Sequence, residues 1–333
     1  MNCFIGVPTG NTAKEHIDAL MDRMGFRDLA FKVKSKGKIS TFIAKTFSIA
    51  KLPFILKKGD VLLIQYPFKK YYKVICRIAH LKGAKTITLI HDLGTFRRHK
   101  LTAEQEIKKL SLTDSIIVHN AAMNKWLVNH GCKVPLTNLD IFDYISNSQP
   151  TSYAIGNPPS RIVYAGSISA RKNAFLYKLD DNIKGCTVNL YGRGIDTERS
   201  SKWKNMHYIG FVESDKFISE VTGDWGLVWD GDDIDGCSGN WGEYLRINNP
   251  HKTSFYLRSG LPVILSEESA MVPFIKANNL GIAVNSLREV PERLESMSLQ
   301  DYSIIKNNVM EFKDKLNDGA FFKKAYCSAK DFL

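Results

Sequence analysis

No run of about 18 apolar residues occurs anywhere in the 333-residue chain, so no segment is expected to span a membrane. Paired cysteines are missing too. Cys3, Cys76, Cys132, Cys186, Cys237 and Cys327 stand singly with no C-x-x-C among them, which argues against a disulfide frame or a zinc site and for thiols in a reducing cytoplasm. Gly6-Val-Pro-Thr-Gly10 does not supply the G-x-G-x-x-G that a nucleotide-sugar epimerase or dehydrogenase would carry after its first strand. Zinc fingers, RNP-type aromatic motifs and recognition-helix patterns are lacking, so nucleic acid is not an expected partner. Met1 leads into a short strand and a polar turn, which does not read as a signal peptide. Acids are scarce early on: between Lys32 and Lys100 only Asp60 and Asp92 occur.

What is there describes a soluble globular protein, 44% hydrophobic and 24% charged, long enough for two domains. The net charge of +12 gathers in the first half, which suits a phospholipid surface or a phosphorylated substrate as well as a plain solvated face. Ile39, Phe42, Ile43, Phe47 and Ala50 recur at helical spacing with Lys36, Lys38, Lys45 and Lys51 around them. Such a helix fits an anionic membrane surface, and it fits equally a core helix with wet lysines.

Apolar runs alternate with helical patterns in both halves. The first half offers strands at Cys3–Val7, Leu29–Val33, Val61–Tyr66, Thr86–Ile90, Ser115–His119 and Leu139–Phe142. The second offers Arg161–Ala165, Thr187–Tyr191, His207–Gly210, Gly226–Trp229, Val263–Leu265 and Ile282–Val284. Strands apolar throughout and separated by helices predict an α/β protein of two doubly wound, Rossmann-like domains facing across a cleft. The turn-rich stretch from Ser146 to Ser160 divides residues 1–150 from 151–300. Residues 301–333 are expected to be helices packing back on the first domain.

The loops at strand ends carry the chemistry. Asn248-Asn249-Pro250-His251-Lys252-Thr253-Ser254 opens a helix whose free N–H groups, lysine and hydroxyls suit a diphosphate. Gly166, Ser167, Arg171 and Lys172 follow another strand, and Tyr191-Gly-Arg-Gly194 a third; together these predict a phosphate-facing set. His91 and Asp92 close an apolar strand of the first half and are candidates for sugar binding and general-base work, with Asp143 a second carboxylate. Thr9 and Asn11 follow the first strand, as a cap or as cleft contacts. The Asp230–Asp235 cluster fails the calcium-loop spacing, since Gly231 and Gly242 fall where carboxylates are needed. No metal or cofactor is expected.

Lys252-Thr-Ser-Phe-Tyr-Leu-Arg-Ser-Gly260-Leu-Pro262-Val263 resembles the K-x-x-E-x-x-A-x-G-x-P-V signature of GT-B glycosyltransferases. Leu89–Asp92, Ile141–Tyr144, Tyr164–Gly166, Trp229–Asp232, Cys237–Gly239 and Asn248–Ser254 resemble the β-1,6-galactofuranosyltransferases of enterobacterial O-antigen clusters. A more distant likeness is to the glucosyltransferases that extend glycans on streptococcal adhesins. The resemblance implies a metal-independent enzyme that takes a UDP-sugar donor and a glycan acceptor, lipid-linked in the first case and an adhesin glycoprotein in the second. It places Asp230, Asn249, His251, Lys252, Thr253 and Ser254 at the donor, with Asp92 as base of an inverting transfer. Retaining relatives keep a glutamate where Phe255 stands, so ribose contacts must come from elsewhere. Location is expected to be cytoplasmic or peripheral on the inner membrane face. A monomer and a homo-oligomer both fit the sequence.

Overall fold

The computed structural model describes residues 1–6, 10–32, 37–68, 71–96 and 99–333, the side chains of 38–40 excepted. The chain divides into two compact units, Met1–Asp143 with Gly319–Leu333, and Tyr144–Asp318.

In the first unit β1 (Asn2–Phe4), β2 (Arg27–Asp28), β3 (Val61–Tyr66), β4 (Lys85–Ile90), β5 (Ser115–Val118) and β6 (Leu136–Asn138) form one sheet. Their order is β2-β1-β3-β4-β5-β6, parallel throughout. All six residues of β3 are buried, as a parallel strand covered on both faces requires. Helices α1 (Thr12–Arg23), α2 (Lys38–Ile55), α3 (Tyr72–Leu81), α4 (Ala103–Leu110) and α5 (Ala121–Asn129) fill the crossovers. Asn11, Thr102 and Asn120 cap three of them, each side chain accepting from a first-turn N–H.

Two expected strands moved. The Leu29–Val33 run pairs earlier, at Arg27–Asp28, and Val33 lies outside the described residues. The last strand is Leu136–Asn138 rather than Leu139–Phe142. Its ladder ends when Asp140, at φ 71°, leaves the extended region. Helix α2 continues past Ala50 through Pro53. Its buried stripe is Ala44, Ser48, Ile49 and Leu52, while Phe42 (51%), Ile43, Phe47 (53%) and Phe54 (86%) are exposed. No helix among the described residues is long and apolar enough to cross a membrane.

The second unit holds β7 (Arg161–Ser167), β8 (Thr187–Arg193), β9 (Met206–Gly210), β10 (Trp225–Val228), β11 (Val263–Ser266) and β12 (Gly281–Val284). Their order is β12-β11-β10-β7-β8-β9, again all parallel. The winding reverses between β7 and β10, which makes that pair the topological switch point where open α/β sheets bind ligands. Its helices are α6 (Leu176–Leu179), α7 (Thr197–Ser200), α8 (Ser214–Glu220), α9 (Gly239–Tyr244), α10 (His251–Arg258), α11 (Val272–Ala277), α12 (Val290–Glu295) and α13 (Leu299–Asn317). Trp225, Tyr164, Phe175, Leu190 and Ile264 anchor its core. The last helix, α14 (Ala320–Lys330), belongs to the first unit.

Candidate active site

The carboxyl ends of β7 and β10 bring four predicted residues together. Gly166 pairs with Gly192 of β8, and a Cβ on Gly192 would lie 1.7 Å from the Gly166 carbonyl oxygen. A Cβ on Gly166 would stand 3.5 Å from Lys252 Cε, at van der Waals contact. Helix α10 is locked against the sheet by Tyr256, whose hydroxyl accepts from the Ala165 N–H at 2.6 Å. The same ring fills the space where a side chain on Gly226 would be. The N-cap of α10 is Pro250, whose own side chain makes no capping bond, and such a start is where an anion can take the cap's place.

Lys252 Nζ donates to Asp230 Oδ1 at 3.0 Å, to the Tyr164 hydroxyl at 3.1 Å and to the Trp229 carbonyl at 3.2 Å. It also lies 4.2 Å from the Tyr164 ring centroid. Burial pushes this ammonium down to about 8, with Asp230 pulling it up and Lys172 adding to the fall. Lys172 Nζ approaches the same Asp230 oxygen at 3.6 Å and rests 4.9 Å from the Trp241 ring centroid. Three acceptors use the three N–H bonds of an ammonium. A phosphate oxygen reaching Lys252 would therefore take the place of one of them.

The other predicted donor residues are spread differently. Ser167 sends its carbonyl to Asn173 and Tyr164, and Arg171 is exposed. Asn249, Thr253 and Ser254 are buried. His251 sits 5.0 Å from the Tyr144 ring. Phe255 joins that cluster, 5.2 Å from Tyr144 and 4.6 Å from Phe217, so aromatic packing occupies the position of the retaining enzymes' glutamate. Three of the four aspartates of the acidic loop are tied to separate cations: Asp230 to Lys252 and Lys172, Asp233 to Lys178 at 2.7 Å, and Asp235 to Arg288 at 3.2 Å. Among the described residues no group of three or more His, Cys, Asp and Glu is placed to hold a metal ion.

In the first unit, His91 and Asp92 follow β4. His91 is buried, with Nε2 2.7 Å from Gln65 Oε1 and its ring stacked on Phe142 at 5.3 Å. Asp92 is half-buried, and its charge partly offsets the burial that pushes His119 down to about 4. Asp143 is engaged elsewhere. It is 1% exposed, and its two oxygens accept from Phe321 N at 3.2 Å and Phe322 N at 2.7 Å, capping α14 from outside the helix. Burial pushes its carboxyl up to about 7. Asn11 caps α1 with a 3.2 Å bond from Lys14 N; Thr9 lies outside the described residues.

Tyr256, Trp241 and Gln65 were not predicted. Tyr256 and Trp241 read as ordinary helix residues, and Gln65 as one polar position in an apolar strand; periodicity gives none of them a signal.

Comparison with known proteins identifies the family. The family model for the glucosyltransferase 3-like N-terminal domain matches residues 6–141, and that for the C-terminal domain matches residues 162–329. The chain is 30% identical to the Beta-1,6-galactofuranosyltransferase WbbI of Escherichia coli (strain K12) over 88% of its own length and 82% of that protein's. It is 24% identical to Glucosyltransferase 3 of Streptococcus gordonii over 97% of its length and 95% of that protein's. Among solved structures, the apo lipopolysaccharide outer core galactosyltransferase WaaB matches 98% of this chain and 99% of its own with a TM-score of 0.58 at 11% identity, a likeness of fold. With two parallel Rossmann-like sheets and both family domains in sequence, this chain belongs to the glucosyltransferase 3-like family of GT-B glycosyltransferases.

Proposed function

We propose that this glycosyltransferase moves galactofuranose from UDP-galactofuranose to a sugar hydroxyl of a lipid-linked surface-polysaccharide precursor, forming a β-1,6 bond with inversion. The observation that carries the donor reading is the buried Lys252, held with Lys172 and the start of α10 at the β7/β10 switch point. Those groups stabilise the leaving diphosphate without a metal. The choice of sugar and linkage follows the likeness to WbbI.

On this reading the second unit binds the donor and the first the acceptor. Asp92 takes the proton from the attacking hydroxyl as the oxygen bonds to the anomeric carbon and the UDP oxygen leaves. The exposed Phe47 and Phe54 of α2, with Lys51, Lys57 and Lys58 beside them, rest on an anionic lipid surface at the cytoplasmic face, where such an acceptor would be found.

A donor screen with EDTA present tests the reading. UDP-galactofuranose is expected to be consumed and to leave a β-linked product. Preference for UDP-glucose would favour the second reading, a glucosyltransferase acting on an adhesin glycoprotein; the likeness to Glucosyltransferase 3 supports the glucosyl part of it. Loss of activity restored only by manganese would end the metal-free mechanism.

A further inference from the structure

The first unit's sheet also reverses its winding, between β1 and β3. A recess there is lined by Phe4, Ile5, Met21, Leu63, Ile64, Gln65 and Phe68, and among the described residues of that wall the only polar side chain is Gln65. Gln65 is 8% exposed, yet its whole amide is used. Nε2 donates to Asp18 Oδ1 at 2.6 Å and to the Lys14 carbonyl at 3.3 Å, both on α1. Oε1 faces His91 Nε2 at 2.7 Å. The Lys14 ammonium bonds back to the Gln65 carbonyl at 2.9 Å, closing the contact between α1 and β3.

Which way the amide points follows from the partners. A backbone carbonyl can only accept, so the side facing Lys14 must be the NH2 group and the side facing His91 must be oxygen. That oxygen can only accept, so the proton between it and His91 belongs to the imidazole. We propose that Gln65 is a positioning residue for the His91–Asp92 pair, clamping the imidazole with its proton on Nε2 and thereby fixing the end of β4 from which Asp92 projects. Phe142 holds the same ring by stacking. Two restraints from separate elements leave His91 one orientation.

Asp18 completes the clamp. Burial, with the charge of Asp28 adding to it and Lys14 opposing it, pushes its carboxyl up to about 8. At neutral pH it is largely the uncharged acid, whose carbonyl oxygen still accepts from Gln65. Asp18→Asn should therefore preserve the clamp, and Asp18→Leu should loosen it.

The kinetic arm rests on Asp92 being the base; the spectroscopic arm does not. The full chain, labelled with 15N-histidine, is examined by NMR near neutral pH, with the His91 signals assigned by their loss in His91→Gln. The expected result is a His91 proton on Nε2. In Gln65→Leu the ring should sample both tautomers, and kcat should fall by roughly 10- to 100-fold, the scale for a displaced reacting group, while KM for the UDP-sugar stays put. A wild-type thermal transition and wild-type signals for the histidines outside the clamp check that this variant is folded. Gln65→Glu, nearly isosteric, tests the contact independently of that outcome: a carboxylate at 2.7 Å should draw a second proton onto His91. A wild-type proton on Nδ1, or His91 signals unaltered by both Gln65 substitutions, would overturn the proposal. Retained turnover in Asp92→Asn would instead remove the base assignment and leave the tautomer result standing.

Discussion

Lys252 Nζ and Asp230 Oδ1 lie 3.0 Å apart at the carboxyl edge of the second sheet, both largely buried, with Lys172 on the same oxygen. The carboxylate keeps two cations close together in a place from which water is mostly excluded. Lys252→Ala should leave Lys172 to hold Asp230 alone and weaken UDP binding by about 1–3 kcal/mol, the scale of a charge-assisted bond. Titration calorimetry checks this, and unchanged affinity would move the diphosphate elsewhere.

The same lysine gives a pH signature. Burial holds it near 8 rather than 10.5, so UDP affinity should be full below about pH 8 and decline above it as the ammonium loses its proton. For stability the sign is opposite. Between about 8 and 10.5 the unfolded chain holds a proton that the folded chain has released, so this group's contribution rises with pH. UDP titrations from pH 6.5 to 9.5 read the first effect, and a flat profile would show that Lys252 does not meet the ligand.

Asp92 and Asp143 should separate cleanly. Asp92→Asn keeps the shape and removes the proton acceptor, so turnover should fall about 100- to 10,000-fold with UDP affinity nearly unchanged. Asp143→Ala removes the cap of α14 and should destabilise the fold by about 0.5–2 kcal/mol, read as a lower melting temperature. A turnover loss in folded Asp143→Ala as large as that of Asp92→Asn would return Asp143 to the chemistry.

Flotation with neutral and anionic vesicles tests α2. The protein should rise with anionic vesicles at low salt, less at high salt, and Phe47→Ser with Phe54→Ser should weaken binding in both. Equal partitioning to neutral and anionic lipid would reject the electrostatic part of the reading.

Gly192→Ala should be poorly tolerated. Its Cβ would meet a backbone oxygen at 1.7 Å, and no rotamer relieves a clash with backbone. Loss of UDP binding or of the thermal transition is expected; wild-type behaviour would mean that β7 and β8 can part at their ends.

The alternation of apolar strands with helices was legible in the sequence, and Val61–Tyr66 is a strand at those same bounds. Five apolar or aromatic residues out of six, with Gln65 the exception, between polar turns read as a buried strand. The position of β6 was not legible, because its end depends on Asp140 adopting a left-handed conformation that asparagine and aspartate reach without a sequence signal. Helix α2 was recognisable as a helix, but its facing was not: Ala44, Ile49 and Leu52 compete with Phe42, Ile43 and Phe47 as an inward stripe, and only packing decides. The Lys252 loop stood out because chemistry and turn signals coincide there. Gln65 and Asp143 did not, since their roles come from partners 26 and 178 positions away.

The pairing of Asp143 with Phe321 and Phe322 also has a consequence for synthesis. The first unit needs α14 to cover β5 and β6, to seat Tyr326 4.8 Å from Phe26 and to satisfy a buried carboxylate. A nascent chain emerging from the ribosome has its first five helices and all six strands of that sheet long before residues 319–333 exist. Domains usually finish in the order in which they are made. Here the unit begun first is completed last, so its apolar flank waits, uncovered, through the translation of the whole second unit, and chaperones have their longest opportunity on that flank.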